Sequence, residues 1–349
     1  MREFDYEIAP RKWLTPEVVA LIASLREYKG RQALYLRATP DVLDSLLEIA
    51  KIQSTASSNR IEGISTTDAR IRALVTGSTA PKNRAEEEIS GYRDVLSMIH
   101  ELHDNISLSP NVILQFHRDL MAHIGPGMGG AWKMSDNVIS EKDASGRTFV
   151  RFRPLPAFET PTAVEALCNA ANNAFQARKF DPMFILALFV LDFVSIHPFD
   201  DGNGRLSRLL TLLLAYKAGY EVGRYISLEK VIEDSKLSYY EALQASSADW
   251  REGRNNPEPF VRYLLGTFIK AHALFEERVS DVLLATASKE ERVKMLFERT
   301  AVPLRKRQIL DACPDISGIT VARALKSLLD AGRIRKIGGG PATAYVKVQ

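Results

Sequence analysis

The sequence predicts a mainly α-helical bundle, interrupted by one β-hairpin and followed by a small basic domain. Three observations carry this. Apolar residues recur at helical spacing through most of the 349 residues. One stretch rich in Gly, Pro and Ser, 124–161, breaks that rhythm with short alternating pieces. The segment 301–349 holds nine Lys/Arg against three Asp, a net +6 in a chain whose total is +3.

The elements follow in order. Residues 17–28 and 40–54 read as amphipathic helices, the second with Val42, Leu43, Leu46, Leu47, Ile49 and Ala50 on one side. In 85–102, Ile89, Tyr92, Val95, Leu96 and Ile99 repeat at helical spacing. Ser109-Pro110 is a cap and first-turn pair that opens a helix over 110–123. Asn137–Ile139 and Thr148–Phe152 alternate, and Ala144-Ser145-Gly146 between them signals a hairpin turn. Helices resume at 162–175, 181–196, 204–218, 239–248 and 257–279. The tail reads as helix 305–312, a turn through Pro314, helix 320–331, then 332–337, a Gly-rich turn ending at Pro341, and 344–348. Two helices and a hairpin in that order describe a winged helix-turn-helix, a shape that can set its second helix in a DNA major groove.

Composition narrows the class. Hydrophobic residues make up 46% and charged residues 26%, ordinary for a soluble protein with a sizeable core. The small net charge does not of itself imply a nucleic-acid partner. Cys168 and Cys313 are far apart and have no metal-ligand spacing, so they read as reduced thiols. The apolar run 183–196 is shorter than the roughly 20 residues that span a bilayer. The N-terminus has no apolar signal core. A cytoplasmic protein without membrane contact is expected.

Several motifs carry little. Gly125–Gly130 fits G-x-G-x-x-G, but no strand precedes it and Pro126 has no N–H for a phosphate. There is no P-loop and no His-x-x-x-His or Cys-x-x-Cys pair. His100 and His103 read as a solvated surface pair; His117, His123 and His272 carry no signal of their own.

The stretch IHPFDDGNGRLSR, 196–208, is different: it sits between the apolar runs 183–196 and 209–216. One helix delivers His197 to the rim, and Phe199 anchors the turn in the core. Gly202-Asn203-Gly204 can turn tightly and leave N–H groups free where the next helix begins, which makes an anion seat. Arg205 and Arg208, three apart, share a helix face, while Leu206, Leu209, Leu210 and Leu213 face the core. Two Arg, free N–H groups and a carboxylate suit a polyphosphate with Mg²⁺, and a neighbouring His suits a general base.

These residues resemble the Fic family. HPFDDGNGRLSR fits H-x-F-x-[DE]-G-N-G-R-x-x-R at His197, Phe199, Asp201, Gly202, Asn203, Gly204, Arg205 and Arg208. The resemblance implies a Fic-type helical bundle with a β-hairpin flap, plus the winged helix-turn-helix: an N-terminal helical region over 1–105, a catalytic core over 106–255, a helical linker over 256–298 and the winged domain over 299–349. It implies a protein adenylyltransferase that moves AMP from ATP to a Tyr, Thr or Ser hydroxyl and releases pyrophosphate. In those roles His197 takes the hydroxyl proton and Asp201 holds Mg²⁺. The stretch Gly202, Asn203, Gly204, Arg205, Leu206, Ser207 and Arg208 holds the nucleotide phosphates. The hairpin within 133–153 grips the target as an added strand, although its 140–145 insertion is longer than the family's flaps. Ser238–Leu243 resembles the family's segment beside the nucleotide, which puts Tyr239 or Tyr240 against adenine.

A second motif joins the first. Ser57–Gly63 contains [ST]-x-x-x-E-[GN] through Ser58, Glu62 and Gly63. In the family such a helix, here around 54–63, is inhibitory: Glu62 pairs with Arg208 in the γ-phosphate seat, and Gly63 ends the helix. The partners implied are a target protein with a hydroxyl side chain and the chain itself, with a homodimer and DNA contact through 299–349 left open. Two alternatives stand beside transfer: removal of AMP at the same site, and a DNA-binding regulator with a nucleotide-sensing core.

Overall fold

The computed structural model describes residues 3–38, 40–125, 127–142, 147–286, 288–300, 302–340 and 343–348. It forms two compact units, Met1–Glu276 and Glu277–Gln349. The hairpin turn expected at Ala144-Ser145-Gly146, Pro126 of the Gly-rich loop and Pro341 lie outside the described residues.

The first unit begins with two long helices, α1 (Pro16–Ala38) and α2 (Pro40–Ile61). Both run beyond the ends that apolar spacing predicts. In α2 the reason is its last turns, where Ser54, Thr55, Ser57, Ser58 and Asn59 are all buried. Small polar side chains let neighbouring helices approach closely, so the helix stays inside after its apolar signal has stopped. In α1 the later turns pack by rings and charge: Tyr28 stacks on His272 and Arg31 pairs with Glu276 at 2.6 Å. The short α3 (Asp68–Val75) escapes periodicity because eight residues hold only Ile71 and Leu74 as buried positions.

Helices α4 (Arg84–Leu102) and α5 (Pro110–Leu120) start where expected, capped by Asn83 and Ser109. They meet at Gly91, where a Cβ would lie 2.0 Å from the Leu120 carbonyl oxygen. Strands β1 (Ile139–Lys142) and β2 (Thr148–Phe152) pair antiparallel, with Ser140 opposite Val150 and an irregularity between Ile139 and Ser140. Then come α6 (Thr160–Ala177), α7 (Pro182–Ile196) and α8 (Asn203–Lys217). Both α7 and α8 are buried nearly all round, as central helices are. The one acid in α7, Asp192, is buried and accepts from the Tyr6 hydroxyl at 2.5 Å and the Trp250 indole N–H at 2.6 Å. The unit closes with α9 (Leu228–Asp234), α10 (Lys236–Ser247) and most of α11 (Glu258–Thr286).

His100 corrects the surface-pair reading. It is buried, its Nδ1 lies 3.1 Å from the Tyr216 hydroxyl, and burial pushes its pKa down to about 3. The ring of Tyr216 on α8 covers it and meets His103 edge-on, so neither histidine is a free surface group.

Residues 256–298, expected as one linker, divide between the units. Phe260, Leu264, Phe268 and Phe275 of α11 are buried in the first. The next helix, α12 (Lys289–Arg299), gives Val293 and Phe297 to the core of the second. There β3 (Leu304–Arg305), α13 (Lys306–Ala312), α14 (Gly318–Asp330), β4 (Ile334–Ile337) and β5 (Ala344–Lys347) complete three helices over an antiparallel sheet of order β3-β5-β4. Arg292 holds Asp315 with two hydrogen bonds, 2.6 and 2.9 Å. Among the described residues no helix is long and apolar enough to cross a membrane.

Candidate functional site

The site is built on the turn between α7 and α8. Helix α7 ends when His197 adopts the left-handed conformation, φ 52° and ψ 63°, with its N–H on the Phe193 carbonyl at 3.1 Å. A non-glycine residue held there is strained, and the surrounding bonds show what holds it. The Lys133 ammonium donates to the Ile196 carbonyl at 3.2 Å, and the Lys133 backbone N–H donates to Pro198 at 3.0 Å. Phe199 is fully buried; its N–H donates to Asn203 Oδ1 at 3.0 Å, and its carbonyl accepts from Asn203 Nδ2 at 2.7 Å and Asn137 Nδ2 at 3.1 Å. Its ring stacks on His117, centroids 3.7 Å apart. The Gly130 N–H donates to His117 Nδ1, so Nε2 carries the proton and donates to the Asp201 carbonyl at 3.2 Å. The glycine loop that fails as a phosphate motif therefore serves to seat His117.

The His197 imidazole is fixed by the same logic. Its Nδ1 lies 3.3 Å from the Val194 carbonyl, so Nδ1 carries the proton and Nε2 is left as an acceptor. Burial pushes its pKa down to about 4, with Lys133 adding to the effect while Glu62 and Asp201 oppose it. The ring is therefore neutral at pH 7 and ready to take a proton.

Helix α8 starts at Asn203 after Gly202, which has φ 81°. The Asn203 side chain is spent on Phe199, so it shapes the turn, and only its backbone can face an anion. Asp201 accepts from the Gly202 N–H at 2.6 Å and from Arg205 Nη2 at 3.3 Å, both on Oδ1. Its side chain is 60% exposed, which leaves Oδ2 toward solvent. Arg205 is buried and its Nη1 lies 2.7 Å from Glu88 Oε2 on α4, so it braces Asp201 from within. Leu206 and Ser207 do not line the cleft. Leu206 is in the core with its N–H on the Gly202 carbonyl, and the Ser207 hydroxyl donates to the Gly204 carbonyl at 2.8 Å.

Arg208 turns toward α2. Its guanidinium donates to Ser58 Oγ at 2.9 Å, to the Ser58 carbonyl at 2.8 Å and to Glu62 Oε1 at 2.8 Å. Arg208 is 4% exposed and Glu62 32%. Glu62 sits over the start of α8 so closely that a Cβ on Gly204 would lie 2.2 Å from its Oε1. Gly63, at φ 81°, then ends α2: Ile64 N–H bonds the Asn59 carbonyl and Gly63 N–H the Arg60 carbonyl, the doubled bond pair of a glycine-terminated helix. That end is tied down from α9 and α10. Glu233 accepts from Ser57 and Arg60 at 2.7 Å each, and the Lys236 ammonium donates to the Ile61 carbonyl at 2.7 Å.

A cleft of about 390 Å³ brings these groups together. Glu62, His197, Asn203, Gly204 and Arg208 line it from one side, Tyr239 and Tyr240 from α10, and Ile139, Ser140, Arg151 and Phe152 from the hairpin. Tyr239 is buried against Tyr240 and Tyr263, and the Arg151 guanidinium lies 5.3 Å from the Tyr240 ring centre. Sequence reasoning missed Lys133, Asn137, His117 and Glu88. A lone Lys or Glu carries no local signal, and only the paired contacts reveal their use.

Fold and cleft together define a helical protein with a neutral histidine beside the N-terminus of a buried helix. Residues 107–215 match the Fic/DOC family. It is 29% identical over 268 residues to the "Protein adenylyltransferase Fic" of Aedes aegypti, covering 73% of this chain and 47% of that protein. It is 27% identical over 250 residues to the protein of the same description from Nematostella vectensis, covering 68% and 50%. The chain thus spans about half the length of these curated relatives. Among solved structures, a Fic family protein from Desulfovibrio desulfuricans G20 is similar at TM-score 0.61 and 20% identity, covering 96% of this chain and 97% of that one. A Fic domain containing signaling protein from Bacteroides thetaiotaomicron VPI-5482 gives TM-score 0.59 and 20% identity over 76% of this chain and 98% of that one. These neighbours match the mainly helical fold.

Proposed function

We propose that the cleft binds ATP and transfers AMP to a hydroxyl side chain of a target protein, and that Glu62 restrains it. The observation that carries this reading is the Glu62 carboxylate on Arg208, at the same helix N-terminus that His197 faces. A carboxylate there stands where a nucleotide phosphate would sit. With Glu62 withdrawn, Arg208 and the N–H groups at the start of α8 receive the phosphates. His197 Nε2 takes the proton of the attacking hydroxyl, whose oxygen bonds the α-phosphorus while the bond to the pyrophosphate oxygen breaks. Asp201, with Oδ1 braced and Oδ2 open, fits a role as the single carboxylate of a Mg²⁺ site completed by phosphate oxygens. Bound Mg²⁺ would supply charge neutralisation on the phosphates. Tyr239 and Tyr240, which line the same cleft, would meet the adenine. The hairpin β1–β2, with Phe149 and Val150 exposed, offers an edge to which a target segment can add as a strand.

The test incubates Glu62→Gly protein with labelled ATP and Mg²⁺, then locates added AMP by mass spectrometry on the chain itself and on candidate targets. Label is expected in Glu62→Gly and absent in Glu62→Gly/His197→Ala. Equal label in both sinks the reading.

A specific observation also favours a reading of the second unit as a winged helix-turn-helix that contacts DNA. On α14, Ile319, Ala322, Arg323 and Lys326 stand exposed at one-face spacing, Ile319 at 83%, and Arg333, Arg335 and Lys336 are exposed around β4. The full chain is expected to retard duplex DNA at low salt, and Arg323→Ala/Lys326→Ala to weaken it. No retardation by the unaltered chain removes this reading.

A further inference from the structure

Between α5 and β1, Lys133 is 2% exposed, an unusual place for an ammonium and one that the transfer mechanism above does not use. Its bonds are specific. The Nζ donates to the Ile196 carbonyl at 3.2 Å and to Asn137 Oδ1 at 3.0 Å, while its backbone N–H donates to the Pro198 carbonyl at 3.0 Å. The peptide carbonyls on either side of His197 are thus held by one residue. Asn137, oriented by Lys133, donates in turn to the Phe199 carbonyl at 3.1 Å.

We propose that Lys133 is a positioning residue for His197: by clamping the Ile196 and Pro198 carbonyls it keeps His197 in its left-handed conformation, with Nδ1–H on Val194 and Nε2 aimed into the cleft. The left-handed conformation costs a non-glycine residue about 1–3 kcal/mol and persists only where the surroundings over-determine it. Val194 orients the ring but does not restrain the backbone at 196 or 198. The last turn of α7 carries no basic residue of its own, and its final carbonyl ends a helix, where a cation is favoured. The ammonium meets that need and fixes the turn in one contact. Burial lowers the Lys133 pKa to about 8, with Asp136 and Asp200 opposing, so at pH 7 it is charged and able to donate. The role rests on the reading of His197 as the base; the clamp itself rests on the geometry.

The test compares the unaltered protein, Lys133→Met and Lys133→Arg, each also in the Glu62→Gly background. The first readout is the ¹⁵N imidazole spectrum, with His197 assigned by its loss in His197→Ala. The unaltered protein and Lys133→Arg are expected to show one fixed Nδ1–H tautomer, and Lys133→Met an averaged signal. The second readout is AMP transfer: kcat falls about 100-fold in Lys133→Met, since misplacing a catalytic group by about 1 Å costs that much, while the KM for ATP stays within about twofold. Lys133→Arg recovers most of kcat. If Lys133→Met does not fold, Lys133→Gln takes its place, with the same averaging expected because one short amide cannot reach both acceptors. An unchanged His197 signal in the Met or Gln variant overturns the proposal. If no AMP is transferred by Glu62→Gly while the His197 signal responds as stated, the proposed reaction fails and the clamp stands.

Discussion

Glu62 and Gly204 share a space too small for one more carbon. The Cβ of an alanine at 204 would fall 2.2 Å from Glu62 Oε1 and 3.3 Å from Arg208 Nη1. Gly204→Ala must therefore displace the carboxylate from its guanidinium. We expect Gly204→Ala to cost about 1–2 kcal/mol, and Glu62→Gly about 1–2 kcal/mol through the partly unpaired buried Arg208. The double variant should cost less than the sum by about 1 kcal/mol, because the clash vanishes with Glu62. Urea melts of the four proteins measure this coupling, and simple additivity would show that the two residues do not compete for the space. Both positions stand out in the sequence as parts of motifs. Their contact does not, since 142 residues separate them and only the packing of α2 on the start of α8 brings them together.

At the scale of elements, α2 carries the proposed restraint and α4 a close helix contact. The end of α2 is tied to α9 by Glu233, which accepts from Ser57 and Arg60. Glu233→Ala is expected to loosen that end and raise AMP transfer several-fold in a chain that keeps Glu62, read by labelling; no increase would show that the Arg208 contact holds Glu62 without the tie to α9. On α4, Gly91 lets the backbone of α5 come within contact of its own. Gly91→Ala would push the helices apart and cost about 3 kcal/mol, read as a lower urea midpoint. Neither contact is visible in periodicity. The last turns of α2 are mostly Ser, Thr and Asn, which look like a surface or a cap, yet Ser54, Thr55, Ser57, Ser58 and Asn59 are buried beside Ala56 and Ile61. The helices α3 and α9 were lost for a related reason: they are short, and a turn or two of helix offers too few apolar positions to set a period.

For the whole first unit, acid should be destabilising. Burial holds the pKa of His100 at about 3 and of His117, His197 and His272 at about 4, each below the ordinary value of 6.5. An unfolded histidine takes its proton near pH 6.5, whereas the folded one does not until about pH 4. Between those values the unfolded chain binds more protons, so stability present above pH 6.5 is lost progressively as the pH falls toward 4. Each histidine contributes roughly 1–2 kcal/mol of that loss between pH 7 and pH 5. Thermal melts should show Tm falling over this range, and His272→Phe, away from the cleft, should flatten the slope. A Tm constant from pH 7 to pH 5 would mean these rings are hydrated in solution.

Much of the site was legible because its chemistry is local in sequence. The proposed phosphate seat combines a glycine turn, a carboxylate and arginines at one helix start, so His197 to Arg208 stand out within twelve residues. The caps of α4, α5 and α7 are local in the same way: each is a side chain bonding a backbone group two or three residues on. What the fold alone decided is which groups are used up and which stay free. Asn203 serves the turn, Arg205 faces Glu88 instead of the cleft, His100 is covered by Tyr216, and Lys133 reaches a helix end 63 residues away. A polar side chain's role depends on the partner that satisfies it once buried. That partner is set by packing between distant segments, which no short stretch of sequence records.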